Sequence, residues 1–258
     1  MTSTKIHILA VDDEKDICEI TRSFLERQRD LVVDVAYSAQ GARDILAFAD
    51  YDVILSDYKM PDEDGIQFLA SIRATGIRIP FILFTGKERE EVVIEALNKG
   101  ANGYLQKGED TLPQYKELEN LIRSLVHQYR ADENLKESEA RFRDLAEMIP
   151  VAVFEMGLSG KLTFLNNFAL ELFGYSPTDI TDGIEAMDVL HPDDREQALM
   201  NIQEILRMKK DTSSHEYKAL RKDGTALSIA ITSSIILRHG HPVGIRGVVD
   251  SDSKRKIA

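Results

Sequence analysis

What the chain has little of narrows its function first. It contains one cysteine, Cys18, in 258 residues, so neither an internal disulfide nor a cysteine cluster for zinc can form, and a reducing compartment suits it. Cys18 reads as a small core residue. Positive charge is also short: 32 Lys and Arg against 44 Asp and Glu leave a formal net charge of -12. Binding to nucleic acid draws on clustered cations that displace counterions from phosphates. No basic stripe is present, and the short "SKRK" at 253–256 reads as a solvated tail, so no nucleic-acid partner is expected. Long apolar runs are missing too. Nothing approaches the roughly 20 residues that a membrane helix needs, and the run in "MTSTKIHILAVDDE" is broken by Asp12 and Asp13 with no small-residue cleavage site. The expectation is a soluble, cytoplasmic protein with no membrane partner.

What is present suits two domains, given 258 residues of which 43% are hydrophobic and 29% charged. The first 110 or so residues alternate short apolar runs ("KIHILAV", "LVVDVA", "YDVILS", "IPFILFT", "ANGYLQ") with longer amphipathic ones ("DICEITRSFLERQ", "AQGARDILAFA", "GIQFLASIRAT", "REEVVIEALNKG"). The apolar runs are near-continuous, as strands buried on both faces of a parallel sheet must be. Helices then cover both sides, which predicts a doubly wound α/β domain with five strands.

From Leu112 to about Ala146 the chain has no glycine and no proline beyond Pro113, and it reads as one long helix or two in succession. Apolar residues recur at helical spacing at Leu118, Leu121 and Leu125, and again at Leu135, Phe142, Leu145 and Ile149, across a polar gap from Ala131 to Asn134. A last helix of the first domain thus runs into a helical linker, which either pairs with a copy of itself or lies on its own domains. After Pro150 the grammar changes. "VAVFEM" and "LTFLN" form a hairpin around "GLSGK"; "NFALELFGYSPTDI" and "HPDDREQALMNIQEILRMKK" are helical; three strand-like runs follow, with turns at Asp223-Gly224 and from Arg238 to His241. This predicts an α+β module with an antiparallel sheet. The expected limits are 1–127, 128–148 for the linker, and 149–258.

In an open parallel sheet, chemistry gathers at the carboxyl ends of the strands. There the sequence places Asp12 and Asp13 in "VDDE", Asp57 after "VILS", Thr85 in "FTG" and Lys107 in "YLQKG". Crowded carboxylates repel unless a cation joins them, and hard oxygen donors suit Mg²⁺. A phosphoryl group on Asp57 would meet metal on one side, Lys107 on the other and the Thr85 hydroxyl at a third oxygen, an arrangement of positioning and electrostatics. In this order and spacing, "VDDE", "DYKMPDEDG", "FTG" and "GYLQKG" resemble the receiver domain of two-component response regulators over residues 5–125. The resemblance implies a flavodoxin-like fold, Asp57 as acceptor of phosphate from a kinase phosphohistidine, and Mg²⁺ held by Asp12, Asp13, Asp57 and the Lys59 carbonyl. It also implies Thr85 and Lys107 as phosphoryl contacts and Tyr104 as an aromatic switch. The family's cis proline after the lysine is replaced by Gly108, so the loop into the last helix is expected to be more mobile.

Residues 135–250 resemble a PAS domain, through "LSGKLTFLNNFALELFGYS", "LHPDDRE", "EYKALRKDGT" and "GIRGVVDSDSKRK". Such modules bind small molecules or dimerise. The photoactive flavin chemistry that needs a cysteine is excluded, since Cys18 lies in the other domain. Among the histidines, His191 reads as a helix start, His215 lies in a strand, and His239 and His241 in a turn, which disfavours haem. Phe154, Phe164, Phe168 and Phe173 are spaced for core packing, and the ligand of this module, if any, is left open. His127 lacks the flanking residues of a phosphoacceptor histidine, and no glycine-rich ATP lid follows. The expectation is a non-enzymatic phosphoacceptor protein that takes its phosphoryl group from a histidine kinase or phosphotransfer protein and pairs with itself through the linker helix or PAS module. The alternatives are a ligand-sensing PAS protein with an inert pseudo-receiver, and a fragment of a sensor or hybrid kinase.

Overall fold

In the first strand, Ile6, Ile8 and Ala10 alternate with Leu9 and Val11, and both sets are buried. A strand can hide both faces only in the middle layer of a three-layer domain. The computed structural model, which describes residues 5–86, 90–108, 111–208 and 213–251, shows that layering. The basic cluster at 253–256 and Arg89, read as a helix start, lie outside the described residues. The chain divides into two compact units, Met1–Lys136 and Glu137–Ala258.

The first unit is a sheet of five strands, β1 (Ile6–Val11), β2 (Leu31–Ala36), β3 (Val53–Ser56), β4 (Phe81–Thr85) and β5 (Gly103–Gln106), in the order β2-β1-β3-β4-β5. Every pairing is parallel. One face packs on α1 (Lys15–Leu25) and α5 (Thr111–Met148), where Ile8, Leu25, Leu118, Ile122 and Val126 share a core. The other packs on α2 (Ala39–Leu46), α3 (Gly65–Ala74) and α4 (Glu90–Asn98), with Leu9, Val11, Phe68, Leu69 and Ala96 between. The doubly wound fold and the near-continuous strand runs are therefore one fact. Asp64 starts α3 with a capping box: its side chain accepts from Ile66 and Gln67, and Gln67 reaches back to the Asp64 N–H.

The long glycine-free stretch forms one helix, Thr111–Met148. Within the first unit its turns are tied by ion pairs, Arg123 to Asp30 at 2.6 Å and Arg130 to Asp52 at 2.7 Å. His127 is exposed on it. Among the described residues no helix is long and apolar enough to cross a membrane.

The second unit has the strands β6 (Ala152–Gly157), β7 (Leu162–Leu165), β8 (Ser213–Leu220), β9 (Ala226–Arg238) and β10 (His241–Ser251) in an antiparallel sheet of order β7-β6-β10-β9-β8. The helices α6 (Asn167–Phe173), α7 (Pro177–Asp182) and α8 (Arg195–Met208) come between β7 and β8. The helical stretch "NFALELFGYSPTDI" forms two short helices: Gly174 takes φ 75°, a left-handed helix end, and Ser176 with Pro177 opens a new helix. His191 begins the short turn Pro192–Asp194, where its ring accepts from the Asp193 N–H. Phe173 is buried, and Phe154 and Phe168 pack against the core. Phe164, expected in that core, instead meets Phe142 of α5, ring centroids 6.2 Å apart. Asn166, fully buried, joins three elements: Oδ1 accepts from Val153 and Ala169 N–H, and Nδ2 donates to the carbonyls of Ala146 and Val151.

Candidate functional site at the carboxyl edge of the parallel sheet

Parallel strands all end at one edge, so residues far apart in sequence meet there. Asp12 follows β1, Asp57 follows β3 and Lys107 follows β5. The Lys107 ammonium donates to Asp12 Oδ2 at 2.6 Å and to Asp57 Oδ1 at 2.5 Å. The remaining carboxylate oxygens are engaged by main chain: Glu14 N–H reaches Asp12 Oδ1 at 2.9 Å, and Lys59 N–H reaches Asp57 Oδ2 at 2.6 Å. Both aspartates are buried, 6% and 8% exposed, so each charge is carried by directed donors in place of water.

The electrostatics show what is left uncompensated. Burial pushes the Asp12 carboxyl above its ordinary value even though the hydrogen bond and charge of Lys107 pull it down. For Lys107, burial acts to lower the ammonium, but its hydrogen bonds to Asp12 and Asp57 overcome this and hold it above its ordinary value. Asp12, Asp13 and Asp57 carry three negative charges against one on Lys107, which leaves a local surplus of about two.

The other expected residues fall as follows. Asp13 is exposed beside Asp12. Thr85, at the end of β4, is 1% exposed, and its carbonyl accepts from the Lys107 N–H at 2.7 Å. Among the described residues its hydroxyl has no hydrogen-bond partner. Tyr104 in β5 is half-buried against the α2–α4 core and pairs with Leu83 across the sheet. Lys59 is exposed, and its main chain is turned to Asp57. Cys18 is a buried core residue, as read, its thiol pushed up to about 11 by burial and the nearby Asp12. Among the described residues no three carboxylate, imidazole or thiolate side chains stand gathered for a metal; Asp12 and Asp57 face the ammonium.

Three contributors escaped the sequence reading. Gly65 opens α3 directly beneath the acceptor: a Cβ there would sit 2.2 Å from the Asp57 carbonyl oxygen. The final glycine of "DYKMPDEDG" is the signal that pointed to it. Ser56 is 1% exposed, and its hydroxyl donates to the Asp57 carbonyl at 2.8 Å. Phe84 places its ring 5.7 Å from the Lys107 ammonium and meets Tyr115, whose hydroxyl bonds Thr21 at 2.9 Å. No local pattern marks that last contact, because its members lie in α1, β4 and α5.

Residues 8–116 match the family model of the response regulator receiver domain, and residues 162–249 that of a PAS fold. Response regulator Rre1 of Synechocystis sp. is 29% identical over 154 residues, which cover 59% of this chain and 65% of that protein. Response regulator SaeR of Staphylococcus epidermidis is 33% identical over 101 residues, 39% of this chain and 43% of that protein. The chain therefore spans less than two thirds of the length of these curated relatives. Among solved structures, the Francisella response regulator 1452 receiver domain aligns with TM-score 0.44 and 28% identity over 48% of this chain and 99% of that one. The chain carries a response regulator receiver domain followed by a PAS domain.

Proposed function

We propose that the receiver unit accepts a phosphoryl group on Asp57 from the phosphohistidine of a histidine kinase or phosphotransfer protein in the cytoplasm, and passes the change through α5 to the PAS unit. The observation that carries this reading is the Lys107 ammonium, held at once by Asp57 and Asp12 at the edge where β1, β3 and β5 end. In the transfer, a carboxylate oxygen of Asp57 bonds to phosphorus as the phosphorus–nitrogen bond breaks. The electron pair stays on the imidazole nitrogen, which takes a proton, and an acyl phosphate remains. Lys107 pairs with the incoming phosphoryl oxygens, and the Thr85 hydroxyl, without a partner among the described residues, donates to another. This is charge stabilisation by groups already in place. As Thr85 moves toward the phosphoryl group, the Tyr104 ring turns inward.

The donor set fits Mg²⁺. The carboxylates of Asp12, Asp13 and Asp57 with the Lys59 carbonyl are hard oxygen donors, their surplus of about two negative charges matches a divalent cation, and Mg²⁺ is held by few carboxylates while keeping several waters. Bound by these groups, the ion would neutralise part of the phosphoryl charge.

For the chain as a whole we propose a receiver at 1–127, a helical linker at 128–148 and a PAS domain at 149–258, with self-association through the linker helix or PAS unit, and a role as phosphoacceptor with no turnover of an outside substrate. An inert receiver is not favoured, because Asp12, Asp57 and Lys107 are assembled at one strand edge. Incubation with acetyl phosphate and Mg²⁺ should add one phosphoryl group by mass spectrometry, and none to Asp57→Asn. Equal labelling of that variant would remove Asp57 from the mechanism.

A further inference from the structure

Both buried aspartates share the Lys107 ammonium, and those bonds use two of its three protons. A third group faces it from the core: the ammonium stands over the Phe84 ring, 5.7 Å from the centroid. Strand alternation puts the two on one side of the sheet. Phe84 pairs with Leu105 across β4 and β5, and both belong to the core under α1 and α5. Lys107 follows Leu105 by two positions, which returns it to the same face, and its N–H is still bonded to the Thr85 carbonyl at 2.7 Å.

The ring is itself held. Phe84 is 3% exposed and meets Tyr115 of α5 edge to face, centroids 5.7 Å apart at 67°. Tyr115 stacks on Phe24 of α1 at 4.7 Å and 5°, and its hydroxyl bonds the buried Thr21. The Arg27 guanidinium lies over the Phe24 ring at 4.4 Å. A column of three rings from β4, α5 and α1 thus stands between two cations, Lys107 at the site and Arg27 at the surface. A leucine at position 84 would fill much of the same space, but it could not attract an ammonium. The negative face of a ring does so, and it takes no proton in a directed bond. Phe84 can therefore keep the ammonium at the strand edge while Lys107 exchanges carboxylate oxygens for phosphoryl oxygens. A third carboxylate there would compete for the same protons and add to the surplus negative charge.

We infer that Phe84 is a positioning residue for phosphoryl uptake: its ring, braced by Tyr115 and Phe24, holds the Lys107 ammonium between Asp12 and Asp57. The inference rests on the reading of Asp57 as acceptor, and it goes beyond that reading by giving a role to a side chain that binds no phosphoryl oxygen.

The test follows two readouts in the full chain: the rate of labelling by acetyl phosphate with Mg²⁺, and the NMR shift of the Lys107 ε-methylene protons, assigned by their loss in Lys107→Arg. A ring face shields protons above it, so these should lie upfield of those of exposed lysines and move downfield in Phe84→Leu. Replacing Phe84 by a phenylalanine whose ring carries three fluorines keeps the shape and weakens the negative face. It should slow labelling about threefold, and Phe84→Leu about fivefold, as loss of one cation–π contact implies. Phe81→Leu removes a buried ring from the core on the opposite face of the sheet and should label at the parent rate. The inference is overturned if the fluorinated chain labels as fast as the parent, if the Lys107 protons are not upfield or do not move in Phe84→Leu, or if Phe81→Leu slows labelling as much as Phe84→Leu. Should Phe84→Leu not fold, the fluorinated ring decides alone. A parent chain that takes no phosphoryl group would remove the Asp57 reading and this inference with it, whereas normal labelling of the fluorinated chain would remove this inference only.

Discussion

A residue without a side chain sets one of the tightest tolerances at the site. Gly65 lies against the Asp57 carbonyl, and a methyl group there would stand 2.2 Å from that oxygen. Main chain cannot swing aside as a side-chain tip can, so Gly65→Ala must shift either α3 or the acceptor. We expect a loss of about 1–3 kcal/mol, typical of overpacking, read by denaturant unfolding, together with slower labelling by acetyl phosphate. Normal labelling at normal stability would show that the contact is slack. Thr85 is the opposite case. Its hydroxyl is buried without a partner among the described residues, so the isosteric Thr85→Val should leave stability within about 1 kcal/mol or improve it, while lowering the rate of phosphoryl uptake. A large destabilisation would mean that the hydroxyl serves the resting fold. The sequence made Asp12, Asp57, Thr85 and Lys107 legible, because each follows an apolar run that can only be a strand. It hid the aromatic contact of Phe84 with Tyr115, whose partners lie 31 positions apart in the chain.

Among the elements, the strands, the long helix and the succession of short helices were readable, and the positions of the helix breaks were not. Near-continuous runs such as "VILS" and "FILFT" announce two-sided burial, and the turn at Asp223-Gly224 joins β8 to β9 where expected. The separation of α6 from α7 depends on Gly174 adopting φ 75°, a conformational choice settled by what the flanking helices pack against. The order β7-β6-β10-β9-β8 likewise depends on pairing between distant segments, which local periodicity does not encode. Within α7, Asp179 ties the helix start: it accepts from the Ser176 N–H at 2.8 Å, and Lys222 reaches it at 2.8 Å. The Lys222 hydrogen bond, aided by those from Ser176, lowers the Asp179 carboxyl to about 2. Its folded value thus lies below the unfolded value of about 3.9. The stabilisation is therefore complete above about pH 4 and is lost as pH falls through about 2. Asp179→Asn should lower the melting temperature at neutral pH, and the gap to the parent protein should close near pH 2. A gap that stayed constant with pH would show that the charge is not what matters.

For the molecule as a whole, the reading requires that phosphorylation favour one population over another, and a phosphoryl mimic can shift that balance only if it binds one state better. Addition of beryllofluoride with Mg²⁺ should change the oligomeric state measured by light scattering, and Asp57→Asn should not respond. A mass unchanged in the parent protein would separate phosphoryl uptake from assembly. Domain order was legible from the change in patterning after Pro150. The cavity between the sheet and α8 of the second unit was not, since its polar wall is assembled from the turn after α6, from α8, and from β8 and β9 in three dimensions.

Asn166 carries a last consequence. Both lone pairs and both protons of its amide are spoken for, by Val153, Ala169, Ala146 and Val151. Aspartate has no protons to offer two of these groups, and leucine, close in size, would orphan all four main-chain atoms. Either replacement should cost at least about 2 kcal/mol, at 1–3 kcal/mol for each buried group stranded, as a lowered unfolding transition of the second unit. Ala146, Val151 and Ala169 are thereby riveted through a single amide, so the last turn of α5, the entry to β6 and the start of α6 are fastened together at one point.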